Sequence, residues 1–199
     1  MTAFFQFPGQ SLVQSLAVSM PFIVSVMLLL AALLDFFYYR LPNKLFYVVF
    51  YLFPIYLILS FKYNLVSNYL IFLITLIVSV GLFSASIIGG GDAKLLSAVS
   101  LWMGWNHMVP FLVWMVILGC LISVLYLSSS KVIYDATARF RGFVQNHQKV
   151  RKFVHFFIED LQSIEGEVIA LQKQGMTIPY GIAIAGAGLI ILLQRITPS

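Results

Sequence analysis

Charge, acidic side chains and cysteine are all scarce in this sequence. Only 10% of its 199 residues are charged, while 61% are hydrophobic and 16% aromatic. A soluble domain carries about 25% charged residues. With a mean hydropathy of +0.96, an ordinary water-soluble globule is excluded, as are a disordered tail and a nucleic-acid-binding domain. The net charge of +5 comes from 12 Lys/Arg against 7 Asp/Glu. In so apolar a chain a basic excess reads as membrane topology, and no nucleic-acid partner is expected. The single cysteine, Cys120, excludes an internal disulfide and a cysteine zinc site, and is expected as a small buried apolar residue.

The charges that exist are unevenly placed. Twelve lie between Lys131 and Lys173, and the remaining seven are Asp35, Arg40, Lys44, Lys62, Asp92, Lys94 and Arg195. Asp35 and Asp92 are the only acids outside the block.

A membrane-spanning helix needs about 20 mostly apolar residues. Spans are expected at Leu16–Leu34, Leu45–Phe61, Tyr69–Ile88, Val109–Leu127 and Ile178–Leu193, with a short buried helix at Leu95–Gly104. The first 34 residues are not expected to be a signal peptide: no basic segment precedes the apolar run and no A-x-A-like site precedes Asp35. The expected fold is an all-α polytopic membrane protein with six transmembrane helices, the fourth short. Residues 131–173 form a cytoplasmic amphipathic helical insert between helices 5 and 6, within a single domain spanning 1–199. With six helices, ten of the twelve basic residues fall on one side, which the positive-inside rule makes cytoplasmic.

Within the insert, Phe153, Phe157, Leu161, Ile164, Val168 and Leu171 recur at helical spacing, and Phe140, Phe143 and Val144 begin a shorter pattern. This stretch reads as a helix lying on the inner leaflet or as a lid over a cytoplasm-facing site. Trp102, Trp105 and Trp114 are expected as an aromatic belt at the outer ends of helices 4 and 5.

Pro42 biases Leu41 out of the helical region, so helix 1 should stop near Arg40, with Asp35 about 7–9 Å inside that end. Asp92 follows Gly89-Gly90-Gly91 and opens helix 4. Both acids therefore lie at cytoplasmic ends at similar depth, where they can face each other. An ionisable group at membrane depth is costly and usually faces a polar cavity or a partner. Two adjacent carboxylates cannot easily both ionise, so they share a proton. That state suits peptide hydrolysis: the ionised member takes a proton from water and the protonated member polarises the carbonyl. Alternatively, Asp35 pairs with Arg40 or Lys44, and Asp92 caps helix 4.

The run GGGDAK is neither a phosphate-binding loop nor a dinucleotide fingerprint. Its glycines permit close approach of an extended peptide, or simply a turn into helix 4. The three histidines show no metal-ligand spacing, and neither a metal nor any other cofactor is expected. With no G-x-S-x-G and no histidine in a span, a serine protease is disfavoured.

Gly89-x-Gly91-Asp92 followed by Ala93-Lys94-Leu95-Leu96, with Asp35 upstream ahead of Arg40-x-Pro42-Asn43, resembles the type IV prepilin peptidases. These belong to the GxGD intramembrane aspartyl proteases, with the presenilin and preflagellin peptidases. The resemblance implies that Asp35 and Asp92 are the catalytic pair; Gly89 and Gly91 are the glycines expected beside the substrate backbone. Lys94 either acts on Asp92 or the substrate, or reaches the headgroups. Pro179-Tyr180-Gly181 is similar to a proline motif near the family's active site, though it also suits plain helix packing. The cysteine pairs of the long prepilin peptidases are absent, so the chain looks like the short, peptidase-only form of tight-adherence (Flp-type) pilus systems, without methyltransferase activity.

The implied substrate is a prepilin or pseudopilin precursor cut at the cytoplasmic face of the bacterial inner membrane. Its apolar helix would enter laterally from the lipid bilayer, and pilus or secretion assembly proteins would be further partners. The insert 131–173 falls outside the family pattern. Two other classes stay open: an ion-coupled transporter subunit using the acids as a proton relay, and a non-enzymatic scaffold recruiting partners through the insert.

Overall fold

The computed structural model describes residues 10–60, 65–158 and 179–196, which form helices with no strand among them. The helices are α1 (Gln10–Tyr38), α2 (Asn43–Ser60), α3 (Leu65–Ser84), α4 (Gly90–Asn146), α5 (Gln148–Phe157) and α6 (Tyr180–Ile196). Among the described residues, four stretches are long and apolar enough to cross a membrane: Ser19–Tyr38, Asn43–Ser60, Val66–Ser84 and Gly90–Ser129. Tyr180–Arg195 is a shorter apolar helix. Their outward faces carry bare aliphatic side chains, among them Ile58, Val66, Val116 and Leu127, the last 82% exposed. Water does not tolerate so continuous an apolar surface on a monomer, whereas lipid does.

The 57 residues of α4 are not one rod. Backbone angles leave the helical region at Gly104 (φ 61°, ψ −175°) and Ser129 (φ −128°, ψ 28°). At Gly104 the positive φ favours the residue without a Cβ. The contacts show that the chain doubles back there. Trp102 meets Val49, Phe53 and Tyr56 of α2. The opposite end of the next segment returns to α1, where Tyr126 meets Tyr39. Segment 90–103 is thus a short helix of about 21 Å, and 105–128 runs back beside it.

The break leaves carbonyls at the end of 90–103 without intrahelical partners. Two neighbouring helices supply donors: Asn68 Nδ2 to Leu101 O at 3.0 Å, and Arg195 Nη1 to Trp102 O at 2.6 Å. Losing one leaves a half-buried carbonyl unpaired, at about 1–3 kcal/mol. Arg195→Met is accordingly expected to lower the thermal midpoint of the chain in detergent, with Arg195→Lys milder; an unchanged midpoint for Arg195→Met would count against this cap.

The core lies where α1, α2, segments 90–103 and 105–128, and α6 meet, with Leu28, Val49, Phe53, Val99, Leu101, Phe111 and Ala187 all buried. Gly188 permits that closeness, since a Cβ there would stand 2.9 Å from Leu28 Cδ1 and 3.1 Å from Val99 Cγ1.

Several expectations are corrected. α1 ends at Tyr38, two residues before Arg40, because Tyr39 takes a left-handed conformation (φ 52°). α3 ends at Ser84, four residues short of Ile88, and residues 85–88 form a turn. Trp102 is no belt residue: it is 2% exposed and its Nε1 donates to Val49 O at 2.9 Å. Cys120 is exposed, not buried. In the insert, Phe140, Phe143 and Val144 lie on α4 and Phe153 and Phe157 on α5, while Leu161, Ile164, Val168 and Leu171 lie outside the described residues.

Candidate active site

Three helix ends converge at one place: the last turn of α1, the first turn of α4 and the first turn of α6. α1 delivers Asp35, which is 4% exposed. The first turn of α6 has backbone N–H groups with no helical acceptor, and these turn to that carboxylate. Ile182 N–H donates to Asp35 Oδ2 at 3.2 Å, and the Gly181 amide faces the same group. A carboxylate at a helix N-terminus is also favoured by the helix dipole. Pro179, buried ahead of this turn, has no N–H to leave unpaired.

Gly181 is required by space. A Cβ there would lie 2.7 Å from Asp35 Oδ2 and 2.8 Å from Leu41 Cδ1. Only a bare backbone lets α6 come this close to Asp35.

Asp92 is not the N-cap of α4. Gly89 takes that position with extended backbone and no side-chain cap, which puts Asp92 three residues into the first turn. From there its carboxylate reaches back to the Gly89 amide, as an acid three residues after a cap commonly does.

Both carboxylates line one cavity of about 410 Å³, together with Tyr39, Phe83, Ser86, Ile87, Ile88, Gly89, Pro179 and Tyr180. They are near enough to act on each other electrostatically. The cavity size suits a peptide segment or a small ligand. A second cavity of about 530 Å³, mostly apolar, shares Ile88, Asp92 and Tyr180 with the first and continues past Leu82, Val116, Cys120 and Val124.

The remaining expected residues divide. Gly89, Pro179 and Tyr180 border the cavity of Asp35 and Asp92 directly. Gly91 lies behind it, where a Cβ would stand 3.0 Å from Leu41 Cβ, so it permits the α1–α2 connection to touch α4. Lys94 is not among the lining residues; its Nζ donates to Asn43 Oδ1 at 2.8 Å, tying the start of α4 to the start of α2.

Residues 22–124 match the family model described as the Type IV leader peptidase family. The chain belongs to this family. It is therefore a peptidase acting on leader-bearing protein precursors, and its apolar helices make it a membrane protein. No curated protein and no solved structure matches the chain. The matched residues contain Asp35, Asp92 and the reversal at Gly104. They stop before the 130–158 stretch and before α6, so the amides that hold Asp35 come from outside the match.

Sequence reasoning missed three contributors. Tyr39 borders the cavity and its hydroxyl lies 3.4 Å from that of Tyr126. The signal was available, since Tyr39 lies one helical turn after Asp35. The Ile182 amide and Tyr126 had none, because both reach the site through long-range packing.

Proposed function

We propose that this leader peptidase is an aspartic endopeptidase that removes the short basic leader of type IV or Flp-type prepilins or pseudopilins. Asp35 and Asp92 form its dyad, and the new N-terminus is not methylated. The observation that carries this reading is that the only two acids outside the polar block line one cavity.

One carboxylate is ionised and takes a proton from a water molecule as that water attacks the scissile carbonyl. The other is protonated and donates a hydrogen bond to the carbonyl oxygen, where charge develops. The tetrahedral intermediate collapses when a proton passes to the leaving nitrogen. The peptide enters extended, beside the Gly89–Gly91 backbone. The apolar cavity past Asp92 takes the precursor's hydrophobic segment, which reaches the site laterally from the bilayer.

The reversal at Gly104 supports six membrane crossings, with 90–103 as the short fourth. Ten of twelve basic residues then face the cytoplasm, as does the dyad. The membrane is the bacterial inner membrane, and the whole chain acts as one peptidase domain carrying a cytoplasmic insert.

Co-expression with a candidate prepilin tests the reading. Wild-type chain is expected to convert the precursor to a faster-migrating mature form on a gel. An unshifted precursor beside well-expressed, membrane-integrated wild type would falsify it.

A further inference from the structure

The stretch 130–158 lies outside the family match and contributes nothing to the lining of the dyad cavity. It nevertheless grips both ends of the connection that follows Asp35. On the α1 side, the Phe140 ring stacks on Phe37 with centroids 3.7 Å apart and planes 16° from parallel. Arg141, 7% exposed, donates from Nη1 to Phe37 O at 3.0 Å. On the α2 side, Lys44 Nζ donates to Phe156 O at 2.7 Å and stands 5.1 Å from the centre of the Phe156 ring. Val144, Val154 and Ile158 are buried and belong to the main core, so the stretch is packed, not loosely draped.

What lies between these two grips is strained. α1 closes on a left-handed residue, with Tyr39 N–H donating to Asp35 O at 2.9 Å. Glycine is the usual occupant of such a cap, and a tyrosine there persists only if its surroundings hold it. The Phe37 carbonyl lies in the last turn of α1, where carbonyls run out of helical donors. Arg141 supplies its donor from more than a hundred residues away.

We propose that 130–158 is a positioning clamp for Asp35. It holds the last turn of α1 closed through Arg141, so that the carboxylate two residues before Phe37 keeps its angle to Asp92. Arg141 touches no reacting group; it is a positioning residue, and its role rests on the peptidase reading above. A misplacement of about 1 Å costs about 10²-fold in rate, so a partial loosening is expected to cost about tenfold.

Two measurements on the full-length chain in lipid bilayers test this. First, Phe37→Cys and Phe140→Cys in a Cys120→Ser background are expected to be joined by a short bifunctional thiol reagent, a readout independent of activity. Second, Arg141→Ala is expected to lower kcat for precursor cleavage about tenfold, with KM within about twofold, and Arg141→Lys to recover most of the loss. Rates are taken on the monodisperse fraction, so that misfolded protein is not counted. Failure of the cross-link overturns the clamp. So does an Arg141→Ala chain with unchanged kcat, or one whose loss lies only in KM, which would make the stretch a substrate contact. If the Phe37→Cys/Phe140→Cys chain cross-links while the wild-type chain in the same bilayers cleaves no precursor, the peptidase reading is overturned, and the positioning role with it.

Discussion

Asp35→Asn and Asp92→Asn are each expected to lower leader cleavage by about 10²–10⁴-fold or more, the range associated with losing a general acid or base. Asparagine keeps the size and most of the hydrogen bonding of aspartate, so membrane integration should be unaffected. What it removes is the ability to accept and return a proton. Neither position can substitute for the other, because the reaction needs one carboxylate in each protonation state. The surroundings sharpen the prediction at Asp35. Its carboxylate is fixed by the Ile182 amide and has no slack toward Gly181, where even a Cβ would come within 2.7 Å. Asp35→Glu, one methylene longer, is therefore expected to fail nearly as badly as Asp35→Asn. Initial rates on a purified precursor, with protein amounts matched by immunoblot of the membrane fraction, decide the matter. Wild-type rates in either asparagine variant would remove that residue from the mechanism.

Gly181→Ala is expected to cost about 10²-fold through position alone. The added methyl would meet the Asp35 carboxylate at 2.7 Å and Leu41 Cδ1 at 2.8 Å. Leucine 41 can rotate, but the carboxylate cannot move without losing the amide that holds it. Either α6 backs away or Asp35 turns. In both cases the cavity opens and the dyad loses its geometry. The loss should fall on kcat, since the rest of the cavity lining is untouched. Gly186→Ala, in the same helix but against Leu118, gives the comparison. There the neighbour is the end of a flexible side chain at 3.0 Å, so activity should stay within a few-fold of wild type. Equal losses at the two glycines would mean that helix packing in general, and not the approach to Asp35, explains the effect.

The sequence was most informative where composition was most extreme. With so few acids, Asp35 and Asp92 stood out by elimination, and the fold brings both to one cavity. The all-helical character and the apolar stretches were legible for the same reason: lipid imposes long uninterrupted runs that no other environment requires. The break at Gly104 was legible as the end of a short fourth helix ahead of the next apolar run, but the packing of α2, α3 and α6 around it was not.

Hydropathy failed where it cannot tell lipid from core. Trp102 has the composition signature of a belt residue, yet Val49 O satisfies its indole in the interior. Cys120, expected to be buried, is exposed on the wall of a cavity. Pro42 set the latest end for α1, whereas the actual end is decided by Tyr39 in a conformation its side chain does not favour. The hold on Asp35 was illegible for a different reason. It comes from the Ile182 amide, 147 positions away, and, in the clamp proposed above, from a guanidinium 104 residues from the carbonyl it caps. No local pattern encodes such contacts.

The central claim is that two carboxylates, brought together by the ends of α1, α4 and α6, hydrolyse one peptide bond in a precursor. The most direct measurement is mass spectrometry of the products when the purified chain, reconstituted in lipid, meets a full-length prepilin. The account predicts a single cut that releases the basic leader with wild type, and no leader from Asp35→Asn or Asp92→Asn in the same membranes. Intact precursor with wild type, or leader released by either asparagine variant at a comparable rate, would contradict it.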